Sequence, residues 1–132
     1  MTVKSAVLIA AGLLVSAIPM FAHHSFAAEY DASKPVDFKG TVTKVEWTNP
    51  HARFYVDVKD ADGKVTNWNF ELASPNVLSR NGWTRHSLNE GDVISVQGSR
   101  AKDGANLANA RTVVLASGKK VFAGSATDND GK

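Results

Sequence analysis

The sequence predicts an all-β domain, a small five-stranded Greek-key barrel with one short helix between its third and fourth strands. Three observations predict it. Five runs between residues 36 and 115 are rich in β-branched and aromatic residues, several alternating apolar with polar at the two-residue period of a strand. Clusters of Asp, Asn and Gly separate most of these runs at turn spacing. Only one stretch downstream of residue 22, Ser74 to Gly82, carries the start and stop chemistry of a helix.

The first strand is expected over Val36 to Trp47, where Phe38, Gly40, Val42 and Val45 are interleaved with Lys39, Thr41, Thr43 and Lys44. Thr48-Asn49-Pro50-His51 ends it as a turn, because the residue before a proline is driven out of the helical region. Arg53 to Lys59 follows as the second strand, with Phe54, Val56 and Val58 on one face and Tyr55 and Asp57 on the other. Asp60-Ala61-Asp62-Gly63 closes a hairpin, since Asp tolerates turn geometry and Gly63 takes a positive φ without a Cβ clash. The third strand is Val65 to Leu72, containing Trp68 and Phe70.

Ser74-Pro75 supplies a helix N-cap followed by proline at the first helical position, and Gly82 stops the helix just past Arg80. Asn89-Glu90-Gly91-Asp92 turns the chain into a fourth strand, Val93 to Gly98. Lys102-Asp103-Gly104 leads to the fifth, Ala108 to Leu115, and Ser117-Gly118 to a short extension, Lys120 to Ala123. Ser125 to Lys132 is polar and is expected to be disordered. Three strands, a helix, two strands and a ribbon is the order of the OB-fold. A β-sandwich, the main competitor, wants about seven strands.

Ahead of the barrel, Lys4, the uncharged run Ala6 to Ile18, Pro19 and Ala22 stand in the order of a secretory signal peptide over residues 1–22. The run is short for a bilayer span, which takes roughly 20 apolar residues. Export to the periplasm or beyond is therefore expected, with residues 23–35 as an N-terminal segment and 36–124 as the barrel domain. Cuts after Ala17 and Ala27 compete with the cut after Ala22.

The 132 residues hold no cysteine, which excludes disulfides, thiolate metal sites and a cysteine nucleophile. Fifteen Lys and Arg against 13 Asp and Glu leave a formal +2, and loss of Lys4 with the expected signal peptide leaves +1, too small to suggest nucleic acid, for which a clustered basic face is expected. The expected partner is a small molecule or an envelope protein, with no transmembrane span in the mature chain.

Three stretches carry a family resemblance: His23-His24-Ser25-Phe26 with Glu29-Tyr30-Asp31; Gly40-Thr41-Val42 with Glu46-Trp47-Thr48-Asn49-Pro50-His51; and Ala101-Lys102-Asp103-Gly104 with Ala108-Asn109-Ala110-Arg111. Together they resemble a family of small exported bacterial proteins classed as a domain of unknown function. The resemblance implies an exported OB-like barrel and brings no activity with it.

Two candidate sites follow. In the first, Trp47, Tyr55 and Trp68 form an aromatic platform with Asn49, His51 and Arg53 as polar partners, on the face that OB-folds use for ligands, with filling of the small barrel as the competing place for Trp47 and, more so, for Trp68. Asn67 and Asn69 are further polar partners, and Lys102 to Asn106 is the second loop of that face. In the second, copper, with zinc behind it, is held by His23, His24 and His51, the N-terminal histidine adding its α-amine. A copper site with histidine third in the chain would need cleavage before Ala22, against the small-residue rule.

Trp83 is expected to plug the core and His86 to lie on the surface. Asp60 to Gly63 fails as an EF-hand, because aligning Gly63 with the sixth loop position leaves Val58 and Asn69 where carboxylates are required. Glu46 and Glu71 are a candidate facing pair of carboxylates, more in keeping with a solvated sheet surface than with catalysis. No Gly-x-Ser-x-Gly elbow, His-Glu-x-x-His or phosphate-cradling loop is present, so the chain is expected not to be an enzyme. The expected function is an exported binding module, a metal-binding protein its rival and a structural protein pairing through an edge strand the third class.

Overall fold

The computed structural model describes residues 26–124. The expected signal peptide over residues 1–22, His23, His24 and the tail from Ser125 lie outside them. One helical turn, α1 (Phe26–Glu29), leads into a long strand, β1 (Tyr30–Glu46). Then come β2 (Arg53–Lys59), β3 (Val65–Glu71), α2 (Pro75–Arg80), β4 (Val93–Ala101), β5 (Leu107–Val114) and β6 (Lys120–Phe122).

The strands form one sheet in the order β3-β2-β1-β4-β5-β6. β1 is long enough to pair with β2 through its second half and with β4 through its first, which folds the sheet over on itself. The ends meet where β3 runs parallel to β5 over three residue pairs, Asn69 to Glu71 against Leu107 to Asn109. All other neighbours are antiparallel, and the result is a partly closed OB-like barrel with α2 between the third and fourth strands.

Inside lie Phe54, Val56, Phe70, Leu72, Leu78, Ile94, Val96 and Val113, with Phe54 and Phe70 stacked at 5.2 Å between ring centres. Gly98 marks a close approach, since a Cβ there would collide with the carbonyl oxygen of Asn109. The register slips beside it, leaving Arg111 as the extra residue between Ala110 and Thr112.

The expected turns and caps are present. Asp60 Oδ1 accepts from the backbone N–H groups of Asp62 (3.0 Å) and Lys64 (2.9 Å), and Gly63 has φ 81°. Ser74 Oγ accepts from Val77 N–H at 3.3 Å, and Gly82 has φ 88°.

Four expectations need correction. β1 begins at Tyr30 rather than Val36, because Tyr30 and Asp31 find partners in Ala101 and Arg100 across an irregularity that accommodates Pro35. β4 is correspondingly longer, running to Ala101. The ribbon is a sixth strand, and α1 is a second helix, which had no sequence signal.

Candidate site on the outer face of β2, β3 and β5

Alternation along β2 and β3 sends Phe54, Val56, Trp68 and Phe70 inward, so Arg53, Tyr55, Asn67, Asn69 and Glu71 stand on the outer face. In register Arg53 faces Glu71 and Tyr55 faces Asn69. The β3–β5 pairing extends the row from Glu71 to Asn109, and the β4–β5 pairing extends it to Ser99. Glu71, Asn109 and Ser99 are the three buried polar residues of the described chain, at 7%, 3% and 1% exposure.

Buried polar groups on the outside of a barrel need a cover, and the N-terminal segment contributes one. Tyr30 is 3% exposed and donates its hydroxyl to Glu71 Oε2 at 2.8 Å, while its ring packs against Phe26 at 5.6 Å between centres. Lys102 N–H donates to Glu29 O at 2.9 Å, which ties the same segment to the β4–β5 loop. Burial first, then the Glu71 carboxylate, pushes the Tyr30 phenol far above its ordinary range.

Arg53 donates from Nη2 to the same Glu71 oxygen at 2.8 Å and from Nη1 to Asn69 Oδ1 at 3.5 Å. His51 lies beside them, its Nδ1 3.8 Å from Glu71 Oε1 and 3.1 Å from the carbonyl oxygen of Leu72. A carbonyl only accepts, so this contact requires Nδ1–H, and the neutral ring then presents Nε2 as its free acceptor. Arg111 completes the group, donating to Ser99 Oγ at 3.4 Å.

The structure thus brings Arg53, His51 and Tyr55 onto one face. Tyr55 is half-buried there with the Lys44 ammonium over its ring at 5.5 Å. Asn49 is exposed in the preceding loop, where Asn49–Pro50 is cis. Trp47 is half-buried and packs against the core.

Trp68 does not join the platform. It is 7% exposed, inside the barrel, with Phe38 at 4.7 Å between ring centres and the Arg100 guanidinium over it at 5.1 Å. Its parity along β3 is that of Phe70, which decides the matter. Glu46 and Glu71 are not a facing pair either, since Arg53 stands between them in the register and Glu46 pairs with Lys44 at 2.8 Å. Asn67 is spent on Asp57 and Thr43. Trp83 is buried with its indole N–H on Phe122 O at 2.7 Å, and His86 is exposed.

Of the copper triad, His51 alone lies among the described residues, where no three histidine or carboxylate side chains meet as a metal site.

Sequence reasoning missed Tyr30, Glu71, Asn109, Ser99 and Arg111 as one group. A charged residue between Phe70 and Leu72 was the one local signal. All three stretches of the resemblance contribute, through Tyr30, His51, and Asn109 with Arg111.

A family model described as a family of unknown function (DUF6152) matches residues 10–110. No curated protein matches the chain. Among solved structures, a mitochondrial single-stranded DNA binding protein from S. cerevisiae, Rim1, is similar with a TM-score of 0.48 and 10% identity. The match covers 62% of this chain and 92% of that one. The exclusion of nucleic acid on net charge is withdrawn. Net charge sums over the whole surface, whereas a nucleic-acid interface depends on where cations cluster.

Proposed function

The chain belongs to a family of unknown function (DUF6152), so its role is read from its own geometry: we propose that it is an exported, non-enzymatic binding module that takes a small polar ligand or an envelope partner on the outer face of β2, β3 and β5. One observation carries the reading. The buried polar residues of the described chain form a single row, Glu71, Asn109 and Ser99, flanked by Arg53, His51 and Arg111 and covered by Tyr30.

Burying a carboxylate is costly unless it is paired and hydrogen-bonded, and a fully satisfied polar network is rigid. Rigidity suits recognition, because side chains already held in place lose little entropy when a ligand arrives. The strand 2–3 face and the first and fourth connecting loops are also the OB-fold's usual binding surface.

The test is an NMR screen of the protein against a panel of small polar metabolites and envelope saccharides, followed by amide mapping. Shifts centred on Tyr30, His51, Arg53, Glu71 and Asn109 support the reading. Hits that map away from this face overturn it.

The second reading is copper binding by His23, His24 and His51. It is favoured by the Tyr30 anchor, which brings the start of the described chain to the face where His51 offers Nε2. His51→Ala is then expected to lower copper affinity by orders of magnitude without changing the fold. Unchanged affinity removes His51 from any such site.

A further inference from the structure

Among the described residues two long stretches contain no carboxylate, 72–89 and 104–124, and the fold lays parts of them side by side. Ala73 N–H donates to Ala123 O at 3.1 Å, and the Trp83 indole donates to Phe122 O at 2.7 Å. Lys119 reaches over Gly82, its Nζ 3.7 Å from where a Cβ would stand. Arg80, at the end of α2, and Arg85, in the loop after it, are on the same acid-free stretch as Gly82, and Lys120 follows Lys119. All four cations are exposed, and none has a salt-bridge partner among the described residues.

Elsewhere on the barrel, acids and bases are interspersed. Asp57, Asp60 and Asp62 stand with Lys59 and Lys64 around the β2–β3 hairpin, and Lys44 pairs with Glu46. Asp37 lines a groove with Lys120 and already accepts from Gln97 at 3.0 Å, and Asp92, beyond the loop that carries Arg85, accepts from Asn89 N–H at 3.0 Å. The small net charge of the chain therefore conceals a local excess.

We propose that the surface formed by Arg80, Arg85, Lys119 and Lys120 docks on an anionic phospholipid membrane. Charge complementarity to a leaflet of phosphate headgroups carries the choice, together with the single exposed aromatic beside it. Phe122 is 37% exposed and, two residues along β6, shares the outward side with Lys120, as a residue that enters the headgroup layer between cations would. A track for single-stranded nucleic acid uses successive exposed aromatic rings. Here Trp83 is 2% exposed and its indole N–H is already bonded.

The four cations share no residue with the Tyr30–Glu71 face, and the proposal stands or falls independently of that reading. The test is cosedimentation of the purified protein with mixed phosphatidylglycerol and phosphatidylcholine vesicles, beside phosphatidylcholine alone. Each cation near an anionic surface contributes about fivefold to partitioning, so Arg80→Gln with Lys119→Gln is expected to weaken it roughly twenty-five-fold. Lys59→Gln with Lys64→Gln removes the same charge from the hairpin and is expected to leave binding within about twofold, since screening confines the attraction to nearby cations. Any contribution of a retained leader is common to all the variants.

Equal losses from the two pairs would show a net-charge effect and overturn the proposal, as would equal binding to neutral vesicles. Salt-sensitive binding to an oligonucleotide without vesicle binding would assign the surface to nucleic acid instead.

Discussion

Replacing Tyr30 by Phe removes one oxygen from the centre of the candidate site and little else. The ring stays, with its contact to Phe26, and the lost interaction is a 2.8 Å donation to a carboxylate of which 9% of the side chain is exposed. A hydrogen bond to a charged group contributes about 1.5–3 kcal/mol net, and Arg53 still holds the same oxygen, so a loss near 2 kcal/mol is expected. With a urea m-value of about 2 kcal/mol/M for a domain of this size, the midpoint moves down by about 1 M. Urea unfolding followed by circular dichroism reads this directly. Repeating the substitution in a Glu71→Gln background closes a double-mutant cycle, where a coupling of at least 1 kcal/mol is expected. A cost below about 0.5 kcal/mol, or the same cost in both backgrounds, would refute the view that Tyr30 is bonded to the buried Glu71 side chain.

The same contact sets a pH dependence. The folded state holds the Tyr30 phenol protonated well above its ordinary value of 10, so the unfolded chain releases that proton first, and stability present below pH 10 is lost as pH rises beyond it. Unfolding free energy measured from pH 9 upward is expected to fall less steeply in Tyr30→Phe than in the parent; parallel curves would reject the linkage. Gly98→Ala is expected to cost more than about 3 kcal/mol or prevent folding, because its Cβ meets the Asn109 carbonyl with backbone on both sides. A melting temperature within a few degrees of the parent would contradict that packing. Arg100 lies over Trp68 and donates to the carbonyls of Gly104 and Ala105, so Arg100→Ala is expected to cost about 1–2 kcal/mol and to speed amide exchange of residues 102–106. Unchanged exchange would show that the loop is held by other contacts.

The strands and α2 were legible in the sequence because their determinants are local. Alternation from Phe54 to Val58, the Ser74-Pro75 cap and the Asp60-to-Gly63 turn each act within a few residues, and the chain adopts them where the pattern lies. Three of the six proposed ligand residues, His51, Arg53 and Tyr55, share a face for the same reason, being two apart along one side of a strand and its approach. Between the platform and the barrel interior, Trp68 goes to the interior, since its parity with Phe70 sends it to the core.

The tertiary structure alone decided the rest. Ala32 to Pro35 has no apolar alternation, yet β1 runs through it because partners on β4 stabilise its ends. The row from Arg53 through Glu71 to Asn109 and Ser99 depends on β3 meeting β5 in parallel, a pairing between residues about forty apart that no local pattern encodes. Likewise the two acid-free stretches become one basic surface only when β6 packs against the loop after α2. Composition and short-range spacing determine which elements form and which face of each is apolar; how polar residues from distant strands are gathered, buried and paired is set by the closure of the sheet.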